Sequence, residues 1–325
     1  MMAALSIAPM MDWTDRHYRY MMRQLSAYVV LYTEMVTAEA ILHGVRARLL
    51  DFDPAEHPLI LQLGGSDPDK LREVSAMARA WGYDAVNLNV GCPSDRVQRG
   101  KIGACLMLEP ELVASCVRAM REGSGLPVSV KHRIGVDHVD RYEDMRDFVK
   151  CVWEQSGCTH FSVHARIAWL KGLSPKANRN VPPLRYEDVY RLQQEFSDLW
   201  IEINGGVNSV EAVQEHLKHV RSVMIGRAAY KTPMLIAQLE HCLFGGETAS
   251  EDVLRARLCR QMLSYLEQHM ERGTSPHHVT RHMMGLFHGF PGARSWRQLL
   301  GQSSQMPKDL FLQKFLEKLC IHSGT

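Results

Sequence analysis

Eight short runs of apolar and β-branched residues recur in the first 230 residues, and segments with helical spacing separate them. The runs are LSIAP (5–9), VVLYTEMV (29–36), PLILQLGG (58–65), AVNLNVG (85–91), PVSVKHRIG (127–135), HFSVHAR (160–166), LWIEINGGV (199–207) and RSVMIGR (221–227). Strands that are apolar nearly throughout predict a parallel sheet covered on both faces. The segments between carry helix punctuation. In 67–81, Asp67 and Pro68 supply an N-cap and a first-turn proline. Leu71, Val74, Met77 and Trp81 follow helical spacing, and Gly82 stands where a C-terminal glycine belongs. Residues 111–122 repeat the scheme and end at Gly123, and residues 141–156 end at Gly157. Eight strand–helix repeats in this length predict a (β/α)8 TIM barrel rather than an open doubly wound sheet. No GxGxxG follows the first strand and no GxxxxGK[ST] occurs, which counts against dinucleotide folds and P-loops.

After about residue 245 the strand pattern stops. Helical patterns follow at 252–271, 276–288 and 308–321, with a Gly/Pro/Ser-interrupted stretch at 289–307. The expected organisation is a barrel domain over 1–245 and an all-helical domain over 246–325. Charge sharpens this division. Residues 251–325 hold ten Lys/Arg against six Asp/Glu, whereas the first 250 hold 28 against 30. A basic helical appendage on a slightly acidic body hints at a polyanionic partner.

Composition mostly excludes. With 46% apolar and 23% charged residues the chain is neither disordered, collagenous nor coiled coil. Its eight cysteines form no CxxC pair, against a zinc ribbon or a thioredoxin-type redox site. Residues 1–9 lack the basic start of a signal peptide, and no stretch approaches the roughly 18 apolar residues of a membrane span. A cytoplasmic protein with reduced thiols is expected.

In a barrel of this kind active sites form at the C-terminal strand ends. Read in order, those ends are Met10, Glu34, Gln62, Asn89, Lys131, His164, Asn204 and Gly226–Arg227, so polar groups converge on one rim. Asn204-Gly205-Gly206 and Gly226-Arg227 occupy loops seven and eight, the usual phosphate site of the fold. There bare backbone N–H groups approach an anion closely, and an arginine adds a forked donor. Lys131 and His164 are expected to point inward above that ligand. A lysine in an apolar barrel mouth needs a partner charge or a polarised acceptor. A flavin fits, because its reduced form is negative near N1 and the C2 carbonyl; an ion pair with Glu34 or a neighbouring carboxylate is the structural alternative. Cys92, between Gly91 and Pro93, lies just past the fourth strand on a loop over the mouth. An ordinary thiol, with a pKa of about 8.5, is mostly protonated at neutral pH and can serve as an acid. A buried, inert cysteine is the alternative.

These residues stand in stretches that resemble a known family. Ala8-Pro9-Met10-Met11-Asp12-Trp13-Thr14-Asp15-Arg16, Tyr32-Thr33-Glu34-Met35, Leu61-Gln62-Leu63-Gly64-Gly65 and Asn87-Leu88-Asn89-Val90-Gly91-Cys92-Pro93 all look like tRNA-dihydrouridine synthase. So do Val97…Gly103-Ala104-Cys105-Leu106-Met107, Lys131…Arg133, His164-Ala165-Arg166, Asn204-Gly205-Gly206 and Gly226-Arg227, in order over roughly residues 5–300. The wording of 62–68 and 173–179 is most similar to the bacterial A subfamily, which acts on D-loop uridines 20 and 20a.

The resemblance implies an FMN enzyme that reduces uridine in tRNA to 5,6-dihydrouridine with NADPH. It implies that Pro9, Met10 and Met11 lie against the flavin ring and that Gln62, Lys131 and His164 bond it. Asn204, Gly205, Gly206, Gly226 and Arg227 would hold the FMN phosphate. Cys92 would protonate C5 of uracil as flavin hydride reaches C6, with Asn89 holding the target nucleotide, which must leave its stack. Lys176 and Arg179, and likewise Arg294 and Arg297, are three apart and resemble positions that orient tRNA; ordinary solvated faces are the alternative. The cluster His277, His278 and His282 lacks an accompanying carboxylate or cysteine at ligand spacing, so no metal is expected. No protein partner is implied. Two other readings remain: a flavin barrel reductase of a free pyrimidine, and a tRNA-binding protein without catalysis.

Overall fold

A sheet whose strands are apolar along their length must be covered on both sides, and a barrel does this by closing the sheet on itself inside a ring of helices. The computed structural model describes residues 4–94, 100–247 and 249–322, the last four by backbone alone. Val97 of the family motif, and the side chain of Cys320, lie outside the described residues. The strands are β1 (Leu5–Ile7), β2 (Leu31–Tyr32), β3 (Val36–Thr37), β4 (Leu59–Gly64), β5 (Ala85–Val90), β6 (Val128–Arg133), β7 (His160–His164), β8 (Trp200–Asn204) and β9 (Ser222–Ile225). All pair in parallel in the order β1-β9-β8-β7-β6-β5-β4-β2, with β3 also on β4. Between β1 and β2, the Ile7 N–H donates to the Val30 carbonyl at 2.9 Å and the Val30 N–H to the Leu5 carbonyl at 3.1 Å. That parallel bridge brings the ring round to eight staves, the expected TIM-barrel architecture.

The second apolar run is not one strand. It breaks between β2 and β3, where the Thr33 hydroxyl accepts the Gln62 N–H at 3.0 Å and donates to the Glu34 carbonyl at 2.7 Å. A side-chain oxygen thus replaces a backbone acceptor in the ladder. The helices hold to their punctuation more closely. Helix Pro68–Trp81 starts at Asp67, whose carboxylate accepts from the Asp69 and Lys70 N–H groups, and stops at left-handed Gly82. Helix Tyr142–Ser156 stops at left-handed Gly157. Helix Pro110–Ser124, however, runs through Gly123 to Gly125. Gly123 serves close packing instead, since a Cβ there would stand 2.2 Å from the Arg72 carbonyl oxygen.

The chain forms two compact units, Met1–Asp12 with Val30–Gly226, and Trp13–Val29 with Arg227–Thr325. These compact units divide at 226/227, against the domain boundary expected at 245/246, and the segment between β1 and β2 groups with the C-terminal helices. Its ties explain why. Asp15 pairs with Arg281 at 2.5 Å and with His282 at 2.9 Å, His17 Nδ1 meets the Tyr265 hydroxyl at 2.9 Å, and Ala27 N–H donates to Glu240 at 3.0 Å. A sequence reading that assigns each loop to its flanking strands cannot see partners so distant along the chain. In this helical unit the pattern at 276–288 resolves into helix Pro276–Thr280 and a 3-10 turn, Arg281–Met283. The interrupted stretch at 289–307 contains helix Ala293–Gly301.

The helical unit also buries an arginine. Arg255 donates to the Leu286 carbonyl at 2.8 Å and to Asp252 at 2.6 Å, pairs with Glu251, and lies 4.0 Å over the Phe290 ring. Arg255→Ala is expected to destabilise the protein by about 2–4 kcal/mol, because it strands a buried carbonyl and removes the stacked stem and charge. Urea unfolding measures this, and a midpoint equal to wild type would refute it.

Candidate active site

Because every barrel strand runs the same way, their C-terminal ends form one rim. Met10, Glu34, Gln62, Asn89, Lys131, His164, Asn204 and Gly226 all stand at that end, as expected. The strand bodies below them are less apolar than the sequence reading holds. Two residues before Asn89, Lys131, His164 and Asn204 stand Asn87, Ser129, Ser162 and Glu202, all buried. Alternation along a strand puts i and i−2 on one face, so these four form a second polar layer. None of the four is a site candidate in the sequence reading; their repeated offset was the available signal.

The layers are joined by hydrogen bonds that run in one direction. Asn89 Nδ2 donates to Gln62 Oε1 at 2.9 Å, Gln62 Nε2 to Asn87 Oδ1 at 2.7 Å, and Asn87 Nδ2 to Ser129 Oγ at 2.8 Å. Above them, Asn89 Oδ1 accepts the N–H groups of Gly91 at 3.1 Å and Cys92 at 3.0 Å. Aligned donors of this kind polarise one another. The Cys92 carbonyl in turn accepts from Ala104 N–H at 2.9 Å. The loop bearing the thiol is thus fixed on both sides of Cys92, whose side chain is half-buried. Arg133, also missed as a site residue, donates to the carbonyls of Gly91 at 3.1 Å, Ile167 at 3.1 Å and Asn178 at 3.0 Å.

Across the mouth, Lys131 Nζ donates to Asn204 Oδ1 at 3.2 Å, and Asn204 Nδ2 to the Met224 carbonyl at 2.8 Å. Loss of water, with a smaller push from Arg133, pulls the Lys131 ammonium down to about 8 against the opposing pull of Glu202 and Cys92. Of the carboxylates the sequence left open as partners, Glu34 or a neighbour, the one that acts on Lys131 is Glu202. Glu202 is buried and accepts from Ser6 at 2.7 Å and Ser162 at 2.5 Å. Burial alone would raise its pKa. His160, 3.8 Å away, and the two hydroxyls outweigh this, so the carboxyl lies below its ordinary value. Burial also lowers Arg133, to about 10, with Arg179 and Arg166 adding repulsion against the favourable pull of Cys92. The mouth is thus a cationic environment around a thiol.

Gly205 and Gly206 adopt φ of +116° and +74°, left-handed backbone that suits glycine. A Cβ on Gly205 would stand 2.7 Å from the His164 ring, and one on Gly206 2.7 Å from the Tyr186 hydroxyl. Tyr186 itself donates to the Gly205 carbonyl at 2.7 Å. Gly226 differs: a Cβ there would meet Ala8 and Met10 only at 3.8 and 3.9 Å, so the protein leaves room at this position. Pro9 and Met10 are half-buried beside it, and Met11 is exposed. Such a cradle, with a lysine using one of its three donors, suits an anionic, planar ligand.

The remaining candidates are placed as follows. Lys176 and Arg179 are exposed on the loop after β7. Arg227 opens helix Arg227–Lys231 in the second unit. Arg294 and Arg297, in the same unit, are both exposed on helix Ala293–Gly301 and share one face. Among the described residues no three His, Cys, Asp or Glu side chains group as a metal site would need.

Comparison with known proteins accords with this arrangement. The family described as dihydrouridine synthase (Dus) matches residues 6–321. A protein of Synechocystis sp. named tRNA-dihydrouridine(20/20a) synthase is 54% identical over 300 residues, 92% of this chain and 89% of that protein. The protein of the same name from Pseudomonas aeruginosa is 55% identical over 299 residues, covering 91% and 88%. That from Vibrio cholerae is 51% identical over 303 residues, covering 93% and 92%. Among solved structures, morphinone reductase in complex with tetrahydroNAD superposes with a TM-score of 0.52 at 11% identity, over 74% of this chain and 87% of its own, a likeness of fold. With the family matched over nearly its whole length, the chain belongs to the dihydrouridine synthases and is an oxidoreductase of that family.

Proposed function

We propose that the protein reduces uridine to 5,6-dihydrouridine in the D-loop of tRNA, at positions 20 and 20a, with FMN as its prosthetic group and NADPH as reductant. One observation carries the reading: a thiol on a fixed loop and a lysine-topped glycine cradle share a single barrel mouth. The names of the relatives supply the substrate and the positions.

The residues present fit FMN. Gly205, Gly206 and Gly226, with Asn204 and Arg227, would hold its phosphate, and Gln62, Lys131 and His164 would bond its ring beside Pro9, Met10 and Met11. When bound, FMN supplies the hydride that reaches C6 of uracil. Cys92 holds the proton that goes to C5, and its thiolate recovers one from water, so NADPH provides the electron pair and solvent the proton. Asn89 fixes the Cys92 loop through its oxygen and donates its amide to Gln62, so it orients the acid beside the nucleotide it would help to hold. Lys131 places positive charge where the reduced ring is negative. Lys176, Arg179, Arg294 and Arg297 would meet tRNA phosphates, binding that weakens steeply with salt.

The visible absorbance of the purified protein tests the reading. A flavin band should appear, bleach with NADPH, and return faster with unmodified tRNA than with free uridine. A colourless protein that takes up no added FMN would sink it. Equal reoxidation by free uracil would transfer the protein to the free-pyrimidine reductases.

A further inference from the structure

The twenty residues 166–185 carry five basic side chains and no carboxylate. Arg185 is engaged by Asp140 and Asp188, and Arg166, Lys171, Lys176 and Arg179 carry the rest of the charge. One aromatic ring stands in this stretch, Trp169, and it is 39% exposed. Its backbone is held firmly. Trp169 N–H donates to Asn178 Oδ1 at 2.8 Å, and Asn178 Nδ2 donates back to the Trp169 carbonyl at 2.9 Å. Asn178 is fully buried. On either side, Ala168 N–H donates to the Gly135 carbonyl at 2.9 Å and Leu170 N–H to Asp137 Oδ1 at 2.8 Å. The His138 ring meets the indole edge-on, with centroids 6.2 Å apart. The fold therefore anchors three consecutive backbone groups while leaving much of an apolar ring in water.

An exposed ring in a basic segment without carboxylates is the chemistry of single-stranded nucleic acid recognition, in which bases stack and lysines and arginines follow the backbone. The anchor also reaches the reaction. Arg133 bonds the carbonyls of Ile167 and Asn178 on this loop and that of Gly91, the residue before Cys92. We propose that Trp169 is a stacking platform for an unpaired base of the RNA next to the one that enters the barrel mouth. This rests on the tRNA reading given above.

The test compares wild type, Trp169→Ala, Trp169→Phe and Lys176→Ala, each loaded with FMN, binding unmodified tRNA transcript and a single-stranded oligouridylate over a range of salt. Trp169→Ala should weaken both about tenfold. The dependence of log Kd on log salt should keep its slope, because stacking releases no counterions. Trp169→Phe should restore most of the affinity. Lys176→Ala should instead lower the slope by about one. Flavin bleaching by NADPH and the thermal midpoint should stay at wild-type values in Trp169→Ala. Unchanged affinity in Trp169→Ala, or equal loss in the Phe variant, or a loss that comes with a reduced slope, would each overturn the proposal. A failed tRNA reading shows differently: wild type would bind the transcript no better than heparin, while the tryptophan contrast would persist on oligouridylate.

Discussion

Replacing Cys92 by alanine is expected to slow uridine reduction on tRNA by about 10²–10⁴-fold while flavin bleaching by NADPH keeps its rate. The geometry makes this a clean experiment. The two hydrogen bonds that hold Cys92 itself are backbone bonds, its N–H to Asn89 and its carbonyl to Ala104 N–H. Alanine keeps both, so the loop holds its place and only the proton donor is lost. Cys92→Ser returns a hydroxyl of similar size but far weaker acidity, and should recover little of the rate. Stopped-flow measurement of the two half-reactions separates the steps. A variant whose flavin is reoxidised by tRNA within about threefold of wild type would remove Cys92 from the chemistry.

The second large effect separates two kinds of glycine. Gly226→Ala should leave the thermal midpoint of the FMN-free protein near wild type, because its Cβ meets protein only at ordinary contact distance. FMN affinity should nevertheless fall by at least about tenfold, since the methyl takes space a phosphate would use. Gly205→Ala should damage both. Its φ of +116° is strained for alanine, and its Cβ would push His164 and Leu184 aside, at a cost of about 1–3 kcal/mol in stability. Thermal melts of FMN-free protein, paired with fluorescence titration of FMN, give both numbers. Wild-type FMN affinity in Gly226→Ala would place the phosphate elsewhere.

Much of this site was legible before folding. The runs ending at Gln62, Asn89, Lys131, His164 and Asn204 each turn polar at their last residues, and parallel strands gather such ends on one rim. Capping residues such as Asp67 and Gly82 marked helix ends for local reasons. What escaped was non-local. Glu202 and Ser162 look incidental within apolar runs, and only closure of the barrel brings Ser6, far away in sequence, to share the Glu202 carboxylate with Ser162. Gly123 resembled a helix stop because a glycine that permits close packing and one that permits left-handed backbone look identical in a sequence. The break at Thr33 depends on a hydroxyl meeting the Gln62 amide of another strand. Arg133 stood in a quoted motif, yet its three carbonyl partners on two other loops were invisible.

The segment Trp13–Val29 leaves the barrel after its first strand and belongs with the C-terminal helices. During synthesis Asp15 must therefore wait for Arg281, 266 residues later. At ordinary translation speed that delay is on the order of tens of seconds. For all of it Tyr18, Met21 and Met22, fully buried in the finished protein, have no completed unit to enter. The first barrel strand is likewise unpaired on one edge until β9 emerges. The nascent chain thus carries these apolar residues uncovered until the helices they pack with have been made. It also means that no single cut of the polypeptide divides one unit from the other.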